Sequence, residues 1–370
     1  MIRVLQMIGS LGLGGSQSMI MNIYRNIDRS KIQFDFVLSH TGPGHEYFVE
    51  EAKSLGARIF ETPTFNGLNA VKIRRTWDKF FTEHPEYKVM HIHLTSFASV
   101  YIPVAKKHGV KVIVHSHSIS SGGGLMGVYK DYLQRPLRDQ ADVLMACSAD
   151  AAVWLYGKDV FQRDNYVFLP NAVELDKFAP NDALRERYRR ELGLEDKYVV
   201  GHVGRFFEPK NHPFLIRLFA KLHEKRPDAH LLLVGDGENR AKAAEQISSL
   251  GIESAVTMTG NRNDVAGLMQ AMDIFAFPSL WEGLPVTLVE AQAAGLPCII
   301  SDRISKDTDL TPLIKRLPID SADEWAQELS REHEHMLVTD KVRRSGFDIK
   351  ASVQKISDIY TTLAGEKANV

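Results

Sequence analysis

Residues 2–18 read IRVLQMIGSLGLGGSQS, an apolar run that ends in a cluster of glycines. Residues 2–8 have the composition of a buried β-strand, and glycines directly after a strand permit the tight turn that leads into a helix. Residues 199–212 repeat this arrangement, because VVGHV runs into the turn GRFFEPKNH. A strand, a glycine turn and a helix open each half of the chain, which predicts two α/β domains.

Strand-like apolar runs alternate with helical stretches along the whole chain. The predicted strands are residues 2–8, 34–39, 58–62, 89–93, 111–115 and 143–146 in the first half, and 199–203, 230–234, 256–259, 274–277 and 298–301 in the second. This alternation is typical of doubly wound parallel sheets, whose ligands bind beyond the carboxyl ends of the strands. We therefore expect two such domains with a cleft between them, joined through a hinge-like polar stretch at residues 174–197.

Length and composition restrict the class of protein. A chain of 370 residues exceeds one ordinary core, and 45 Lys and Arg against 46 Asp and Glu leave no net field that attracts nucleic acid. Cys147 and Cys298 lie in apolar runs and are expected to be buried thiols. Without a signal-peptide pattern or a membrane-spanning run, we expect a cytoplasmic protein or one at the inner face of the membrane.

The two glycine turns are candidate anion sites. Gly14 and Gly15 permit main-chain N–H groups and a helix start to face an anion, although the loop lacks the dinucleotide pattern G-x-G-x-x-G. In the second turn, Arg205 and Lys210 are two cations suited to a diphosphate. The alternatives are a tight turn without ligand in the first case and an ordinary solvated loop in the second.

Two His-x-His pairs, His91/His93 and His115/His117, follow strand-like runs. Alternation places the members of each pair on one face of the sheet. No carboxylate or cysteine follows at metal-ligand spacing, so structural histidines and a hydrogen-bonding role for His117 are favoured over a metal site. An Asp-x-Asp triplet at residues 307–309 has no motif around it, and chance is its better explanation.

Residues 281–297, WEGLPVTLVEAQAAGLP, predict a helix with one glutamate before its start and another inside it. Gly283 permits close backbone approach, and Pro285 suits a first helical position. A diphosphate at the helix start could be held by the N–H groups of Leu284 and Val286. Glu290 would then accept hydrogen bonds from the ribose, and Glu282 would face the transferred sugar.

The segment VKIRRTWDKFF, residues 71–81, mixes basic and aromatic residues at helical spacing. A membrane-surface or acceptor-binding face fits this pattern. Core aromatics with a solvated charged face fit it equally.

The run EGLPVTLVE resembles the E-x7-E motif of the retaining glycosyltransferases of family 4, and specifically the group 1 enzymes of bacterial exopolysaccharide and capsule synthesis. The GLGG loop, HSHS, LPNAV, the GR…K loop, VGDG and SLWEG extend the resemblance across nearly the whole chain. It implies the GT-B fold, with residues 1–171 as the acceptor domain, 172–348 as the nucleotide-sugar domain, and 349–370 as a helix that returns to the first domain. Gln17 stands where the family often has Glu, and PNAV replaces the commoner PNGV.

The resemblance also implies roles for single residues. Arg205 and Lys210 would grip the donor diphosphate, Glu282 the sugar, and Glu290 the ribose. His117 would lie near the far hydroxyls of the sugar, and Gly14 with Gly15 would border the phosphates.

The implied reaction is metal-independent transfer of a hexose or N-acetylhexosamine, with UDP the preferred carrier, to a glycan or lipid-linked hydroxyl. No carboxylate is placed as a nucleophile, which favours a front-face reaction that retains the α configuration. Two alternatives remain open. One is an enzyme like the non-hydrolysing UDP-N-acetylglucosamine 2-epimerases, and the other is a nucleotide-sugar-binding regulator without turnover.

Overall fold

The computed structural model describes residues 1–12, 14–42 and 44–365. Leu13 of the first glycine loop and residues 366–370 of the predicted C-terminal segment lie outside the described residues. The chain divides into two compact units, Met1–Ala172 with Ile349–Val370 (unit 1) and Val173–Asp348 (unit 2).

Unit 1 is built on a seven-stranded parallel sheet in the order β3-β2-β1-β4-β5-β6-β7. Its strands are β1 (Ile2–Ile8), β2 (Ile32–Leu38), β3 (Ile59–Glu61), β4 (Val89–Ile92), β5 (Lys111–Ser116), β6 (Val143–Ala146) and β7 (Tyr166–Phe168). The connecting helices are α1 (Gly15–Asn26), α2 (Val49–Ser54), α3 (Ala70–Glu83), α4 (Ile102–Lys107), α5 (Gly124–Gln134), α6 (Leu137–Gln140) and α7 (Ala149–Tyr156). Strand order reverses direction between β1 and β4, the place where such sheets bind ligands.

Alternation along β1 explains why helices cover both faces of this sheet. Leu5 and Met7 join the hydrophobic cluster that contains Trp77 of α3. Val4 and Ile8 join the opposite cluster, which contains Ile20 of α1. Each face of the strand therefore buries its own set of apolar side chains.

Unit 2 has a six-stranded parallel sheet in the order β10-β9-β8-β11-β12-β13. Its strands are β8 (Tyr198–Val203), β9 (Ala229–Val234), β10 (Val256–Met258), β11 (Ile274–Phe277), β12 (Cys298–Ser301) and β13 (Ile314–Leu317). Its helices are α8 (Leu175–Phe178), α9 (Asp182–Leu192), α10 (His212–Lys225), α11 (Arg240–Ser249), α12 (Val265–Gln270), α13 (Val286–Ala293), α14 (Ala322–Leu329) and α15 (Thr339–Val342). The predicted α/β class with two doubly wound parallel sheets is confirmed.

The prediction of a hinge-like stretch at residues 174–197 is wrong, because most of it forms α8 and α9. Tyr188 of α9 packs so closely on α12 that a Cβ at Gly267 would lie 2.1 Å from its ring. Arg189 pairs with Asp273 at 3.1 Å, and the Val199 N–H donates to the same carboxylate. Charged residues are dense here because one face of α9 is exposed to solvent. A linker would show the same density of charged residues.

Two short strands at sheet edges, β7 and β13, were not predicted from the sequence. The residues of 71–81 belong to α3, whose Ile73, Trp77 and Phe81 are buried, so most of its aromatic surface is core. The last helix, α16 (Ile349–Leu363), packs on α1 within unit 1. Among the helices formed by described residues, none combines the length and apolar content that crossing a bilayer requires.

Candidate active site

The start of α13 differs by one position from the sequence expectation. The helix begins at Val286, and Pro285 precedes it in an extended conformation with φ −74° and ψ 94°. Pro285 is therefore the capping residue, and Leu284 belongs to the loop before the helix. The main-chain oxygen of Pro285 accepts from the N–H of Leu288 at 2.9 Å. The N–H of Val286 lies in the first turn, where N–H groups have no acceptor within the helix.

Lys210 and Glu282 form an ion pair in unit 2. Lys210 Nζ lies 2.7 Å from Glu282 Oε1, and the two side chains are only 11% and 13% exposed. The same ammonium stands 4.5 Å from the centroid of the Phe277 ring, a cation–π contact at the end of β11. A fixed cation and a fixed carboxylate thus share one water-poor corner, where charges act strongly on a bound molecule.

Backbone contacts hold the loop of Lys210 against the segment that leads to Glu282. The N–H of Leu280 donates to the Pro209 carbonyl at 2.8 Å, and Asn211 Nδ2 donates to the Pro278 carbonyl at 3.1 Å. Asn211 adopts the left-handed conformation with φ 55°, which turns the chain directly into α10. The pairing of Lys210 with Glu282 therefore rests on two loops that are tied together.

Arg205 is placed differently from Lys210. Its side chain is 66% exposed and pairs with Glu238 at 3.2 Å. Such an exposed pair contributes little to stability and can be exchanged for a stronger anion such as phosphate. The structure joins Lys210 to Glu282 and Arg205 to Glu238, so the two cations predicted to bind the diphosphate have separate carboxylate partners.

The turn of residues 234–237, VGDG, fixes the backbone on either side of Arg205. The N–H of Gly204 donates to the Val234 carbonyl, and the N–H of Phe206 donates to the Asp236 carbonyl, both at 2.9 Å. A Cβ on Gly235, which has φ 136°, would lie 2.2 Å from the Gly204 carbonyl oxygen. Glycine is required here because two backbones touch.

Glu290 lies in the second turn of α13 with its carboxylate unpaired. No hydrogen bond or ion pair joins the side chain to any of the residues 1–12, 14–42 and 44–365 that the structure describes. Burial raises the pKa of Glu290 to about 7, because the charged form loses solvation without gaining a partner. A carboxylate in this state gains from a ligand that donates hydrogen bonds to it, as vicinal hydroxyl groups do.

The four histidines of the two His-x-His pairs meet at the ends of β4 and β5 in unit 1. The rings of His91 and His93 are 4.2 Å apart, and those of His115 and His117 are 4.0 Å apart. Burial holds the pKa of His91, His93 and His115 well below the usual value and lowers that of His117 to about 3, so the imidazoles are neutral. Of the described residues, His91, His93 and His115 are those that could hold a metal ion, since their ligand atoms lie within 4.8 Å of one another.

A hydrogen-bonded chain orients His117. Gln6 donates through Nε2 to the Tyr360 hydroxyl at 3.1 Å, which turns its Oε1 towards His93 Nε2 at 2.9 Å. With that amide orientation His93 Nε2 carries the proton, and His93 Nδ1 accepts from His117 Nε2 at 2.9 Å. His117 Nδ1 is then a lone-pair acceptor without a partner among the described residues. The hydrogen-bonded chain therefore ends at a buried acceptor, His117 Nδ1.

The first glycine loop offers an approach to α1. Gly14 is the extended residue before the helix, and α1 begins at Gly15 without an acidic side chain in its first turn. A Cβ at Gly15 would meet only Asn171 Nδ2, at 3.9 Å, and one at Gly283 would meet no described atom within 4 Å. Packing therefore requires neither Gly15 nor Gly283, which suits positions that a ligand approaches.

One carboxylate of the Asp-x-Asp triplet at residues 307–309 already has a partner, because Asp309 pairs with Arg316 at 2.7 Å.

Two family models match this chain. The model for Glycosyl transferases group 1 matches residues 185–307, and that for the Glycosyl transferase 4-like domain matches residues 14–172. The chain is also 35% identical over 373 residues to EpsF of Bacillus subtilis (strain 168), named as a putative glycosyltransferase, with 97% of this chain and 96% of EpsF covered. The chain belongs to the group 1 glycosyltransferases of family 4.

Two further comparisons describe this glycosyltransferase. It is 24% identical to the Escherichia coli UDP-Gal:alpha-D-GlcNAc-diphosphoundecaprenol alpha-1,3-galactosyltransferase, over 96% of this chain and 95% of that enzyme. The crystal structure of Anabaena HepE in complex with UDP aligns with a TM-score of 0.76 at 19% identity, covering 98% of this chain and 99% of that one. The structural likeness confirms the predicted GT-B fold.

Sequence reasoning overlooked several residues of the glycosyltransferase that support the predicted ones. Phe277, Glu238, Gln6 and Tyr360 each contact a predicted residue or its partner. Gln6 carried a usable signal, since an amide in a strand whose neighbouring residues are apolar rarely lacks a specific partner. Tyr360 carried none, because its partners lie in strands at the opposite end of the chain.

Proposed function

We propose that this glycosyltransferase transfers a hexose or N-acetylhexosamine from a UDP-sugar, with retention, to a hydroxyl of a lipid-linked glycan during surface polysaccharide synthesis. The observation that carries the proposal is the buried Lys210–Glu282 pair, together with the unpaired carboxylate of Glu290 on the adjacent helix α13. A cation, a carboxylate for sugar hydroxyls and a carboxylate for ribose hydroxyls are the groups that a nucleotide sugar needs. The E. coli relative named for UDP-Gal and a diphosphoundecaprenol acceptor supports the donor and acceptor classes.

In the proposed complex, the donor diphosphate lies at the start of α13. Lys210 approaches the phosphates from its position beside Glu282, and the exposed Arg205 exchanges Glu238 for a phosphate oxygen. The N–H of Val286 and the positive end of the helix dipole add to the same field. Because charge on the leaving phosphate grows as the glycosidic bond breaks, cations already in place stabilise the transition state more than the bound donor.

In this proposal the anomeric configuration is retained because the acceptor hydroxyl attacks the sugar on the same face from which the leaving group departs. Glu282 is held by Lys210 at 2.7 Å, an arrangement that suits hydrogen bonding to sugar hydroxyls better than nucleophilic attack. The leaving phosphate oxygen takes the proton of the acceptor hydroxyl as the new glycosidic bond forms. His117 Nδ1, an acceptor by its tautomer, is the proposed partner of a sugar hydroxyl. These groups perform the reaction without a metal ion.

The acceptor is proposed to be met at the cytoplasmic membrane face. The exposed cations of α3, Lys72 and Arg75, fit attraction to anionic lipid. Trp77 and Phe81 of the same helix are buried, so they do not insert into the membrane. Reversal of Lys72 and Arg75 to Glu should weaken binding to anionic vesicles without changing donor affinity. Equal vesicle binding by both proteins would contradict membrane attraction through α3.

A two-step experiment tests the proposed function. Thermal shifts with UDP-, GDP- and ADP-sugars identify the donor, because a ligand that binds only the folded state raises the melting temperature. The best donor is then incubated with a GlcNAc-diphospholipid, and the anomeric configuration of the product is read by NMR. An α product whose formation resists EDTA supports retention without a metal. Epimerised donor in the absence of acceptor, or donor binding without any transfer, would favour the epimerase or the regulator instead.

A further inference from the structure

Pairing of β4 with β5 brings three imidazoles of unit 1 close enough to share one ion. The two strands are parallel, with His91 opposite Ile113, so His91 and His93 lie beside His115. One ligand nitrogen from each of the three lies within 4.8 Å of the others. An imidazole from the neighbouring strand therefore takes the place of the carboxylate or cysteine that is missing at metal-ligand spacing in the sequence.

Nitrogens of this cluster have no partner in the protein. Neither ring nitrogen of His115 and not Nε2 of His91 forms a hydrogen bond within residues 1–12, 14–42 and 44–365. The Leu169 carbonyl opposes the decrease in the pKa of His115, but no hydrogen bond of normal geometry joins it to the ring. His91 and His115 are 1% and 0% exposed, so bulk water does not satisfy these nitrogens either. Buried polar atoms without partners are uncommon, and here they gather at one point.

Oxygen acceptors stand behind two of the rings. His93 Nε2 donates to Gln6 Oε1 at 2.9 Å, and His91 Nδ1 lies 2.7 Å from the Tyr360 hydroxyl. A metal-bound imidazole normally donates its other N–H to such an oxygen, which turns its lone pair towards the ion. By this rule His93 presents Nδ1, and His91 presents Nε2, the nitrogen that has no partner.

The ligand type selects the class of ion. Imidazole suits Zn²⁺ and Co²⁺, whereas Mg²⁺ and Ca²⁺ prefer oxygen ligands, and in the described part of the chain no carboxylate joins the three histidines. Tetrahedral Zn²⁺ holds its ligand nitrogens about 3.4 Å apart, so nitrogens separated by 4.8 Å approach by about 1.4 Å on binding. His93 and His117 are partly exposed, which gives an ion access from the strand ends.

We propose that His91, His93 and His115 bind a Zn²⁺-type ion, and that this ion competes with the hydrogen bond that orients His117. His93 Nδ1 has a single lone pair, which accepts from His117 Nε2 at 2.9 Å. An ion on that lone pair displaces the His117 N–H and releases the ring from its fixed orientation. The bound ion therefore opposes binding of the donor sugar and takes no part in transfer. This competition rests on the proposed function, whereas the metal site does not.

The site is tested by titrating the untagged full chain, stripped of metal, with Co²⁺. Nitrogen ligands in tetrahedral geometry give Co²⁺ intense visible bands that the hydrated ion lacks. Wild type should bind one Co²⁺ with these bands, and one equivalent of Zn²⁺ should remove them. The double variant His91→Gln with His115→Gln should show no such bands. Tyr360→Phe keeps the ring but removes the oxygen behind His91, so Zn²⁺ affinity should fall about tenfold.

The matched control removes two buried histidines from unit 2. His202 and His212 have ring centroids 5.0 Å apart and also include nitrogens without partners, but they offer only two imidazoles. The double variant His202→Gln with His212→Gln should therefore bind Co²⁺ as wild type does. Absence of the bands in folded wild type, or equal bands in the His91 and His115 double variant, overturns the site. If that variant does not fold, unchanged Zn²⁺ affinity in Tyr360→Phe overturns it.

The competition is tested by calorimetry with UDP-glucose and UDP, on metal-free protein and on protein carrying one equivalent of Zn²⁺. The ion should weaken UDP-glucose binding severalfold and leave UDP binding unchanged, because only the sugar needs His117. Equal UDP-glucose affinity with and without Zn²⁺ overturns the competition. Metal-free protein that binds neither UDP-glucose nor UDP contradicts the proposed function, and the Co²⁺ bands then decide the metal site by themselves.

Discussion

Glu290 should make donor binding depend on pH. In the free protein its pKa is about 7, because the carboxylate is desolvated and has no partner. Ribose hydroxyls that donate to the carboxylate stabilise its charged form, so the pKa falls when donor binds. Binding therefore releases a proton near neutral pH, and affinity should increase as pH rises from 6 to 8.

The size of the effect follows from the fraction of protein in the binding-competent, ionised form. With a pKa of about 7, this fraction rises from roughly one tenth at pH 6 to roughly nine tenths at pH 8, which predicts about a tenfold gain in apparent affinity. UDP-glucose is the suitable ligand, since its diphosphate diester does not titrate in this range. Calorimetry in buffers of different ionisation enthalpy measures both the affinity and the proton released.

Glu290→Gln should abolish the pH dependence, and Glu282→Gln is the matched control that should keep it. His117, with a pKa lowered to about 3, does not titrate in this window. An equal slope in wild type and Glu290→Gln, or an affinity that falls as pH rises, would show that Glu290 does not bind the ribose.

The same carboxylate affects stability with a definite sign. An unfolded chain ionises Glu290 from its ordinary value of 4.5, whereas the folded protein resists ionisation until about pH 7. The contribution of Glu290 to stability is therefore most favourable below pH 4.5 and is lost as pH rises towards 7, by about 1–3 kcal/mol because the side chain is only partly buried. Glu290→Gln should exceed wild type by that amount at pH 8 and match it at pH 4 in urea unfolding.

Three further predictions concern the neighbouring groups. Lys210→Met should lower kcat about a hundredfold. Because this change leaves Glu282 unpaired, it should also lower stability by about 1–3 kcal/mol. The double variant Lys210→Met with Glu282→Gln should recover stability but not activity, and full recovery of activity would refute the role of Lys210. Arg205→Lys should remain catalytically impaired because a point charge does not replace the planar fork, with a free energy of unfolding within about 0.5 kcal/mol of wild type; a large loss of stability would indicate a structural residue. Gln6→Leu should weaken binding of UDP-glucose but not of UDP, and Gln6→Glu, which still accepts from His93, should restore part of it; equal effects on both ligands would argue against the orientation of His117.

Local pattern determined the elements that repeat a simple rule. Buried strands such as β6, β11 and β12 have continuous apolar runs, and their bounds agree with the sequence expectation. The short edge strands β7 and β13 lack that signal, since one side of each faces no further strand. Charge density alone suggested a linker where α9 forms, because a solvated helix face and a linker share the same composition.

Part of the candidate site could be predicted from the sequence, because it too depends on local spacing along the chain. Glu282, Glu290 and the start of α13 lie within one helical segment, so their spacing along the axis is set by the chain itself. Spacing cannot specify that Glu282 meets Lys210, that Arg205 meets Glu238, or that Gln6 bonds to Tyr360 across a separation of 354 residues. Those contacts depend on strand order and on how loops are tied at the sheet ends, and the desolvation that shifts the pKa of Glu290 exists only after the surrounding core has packed.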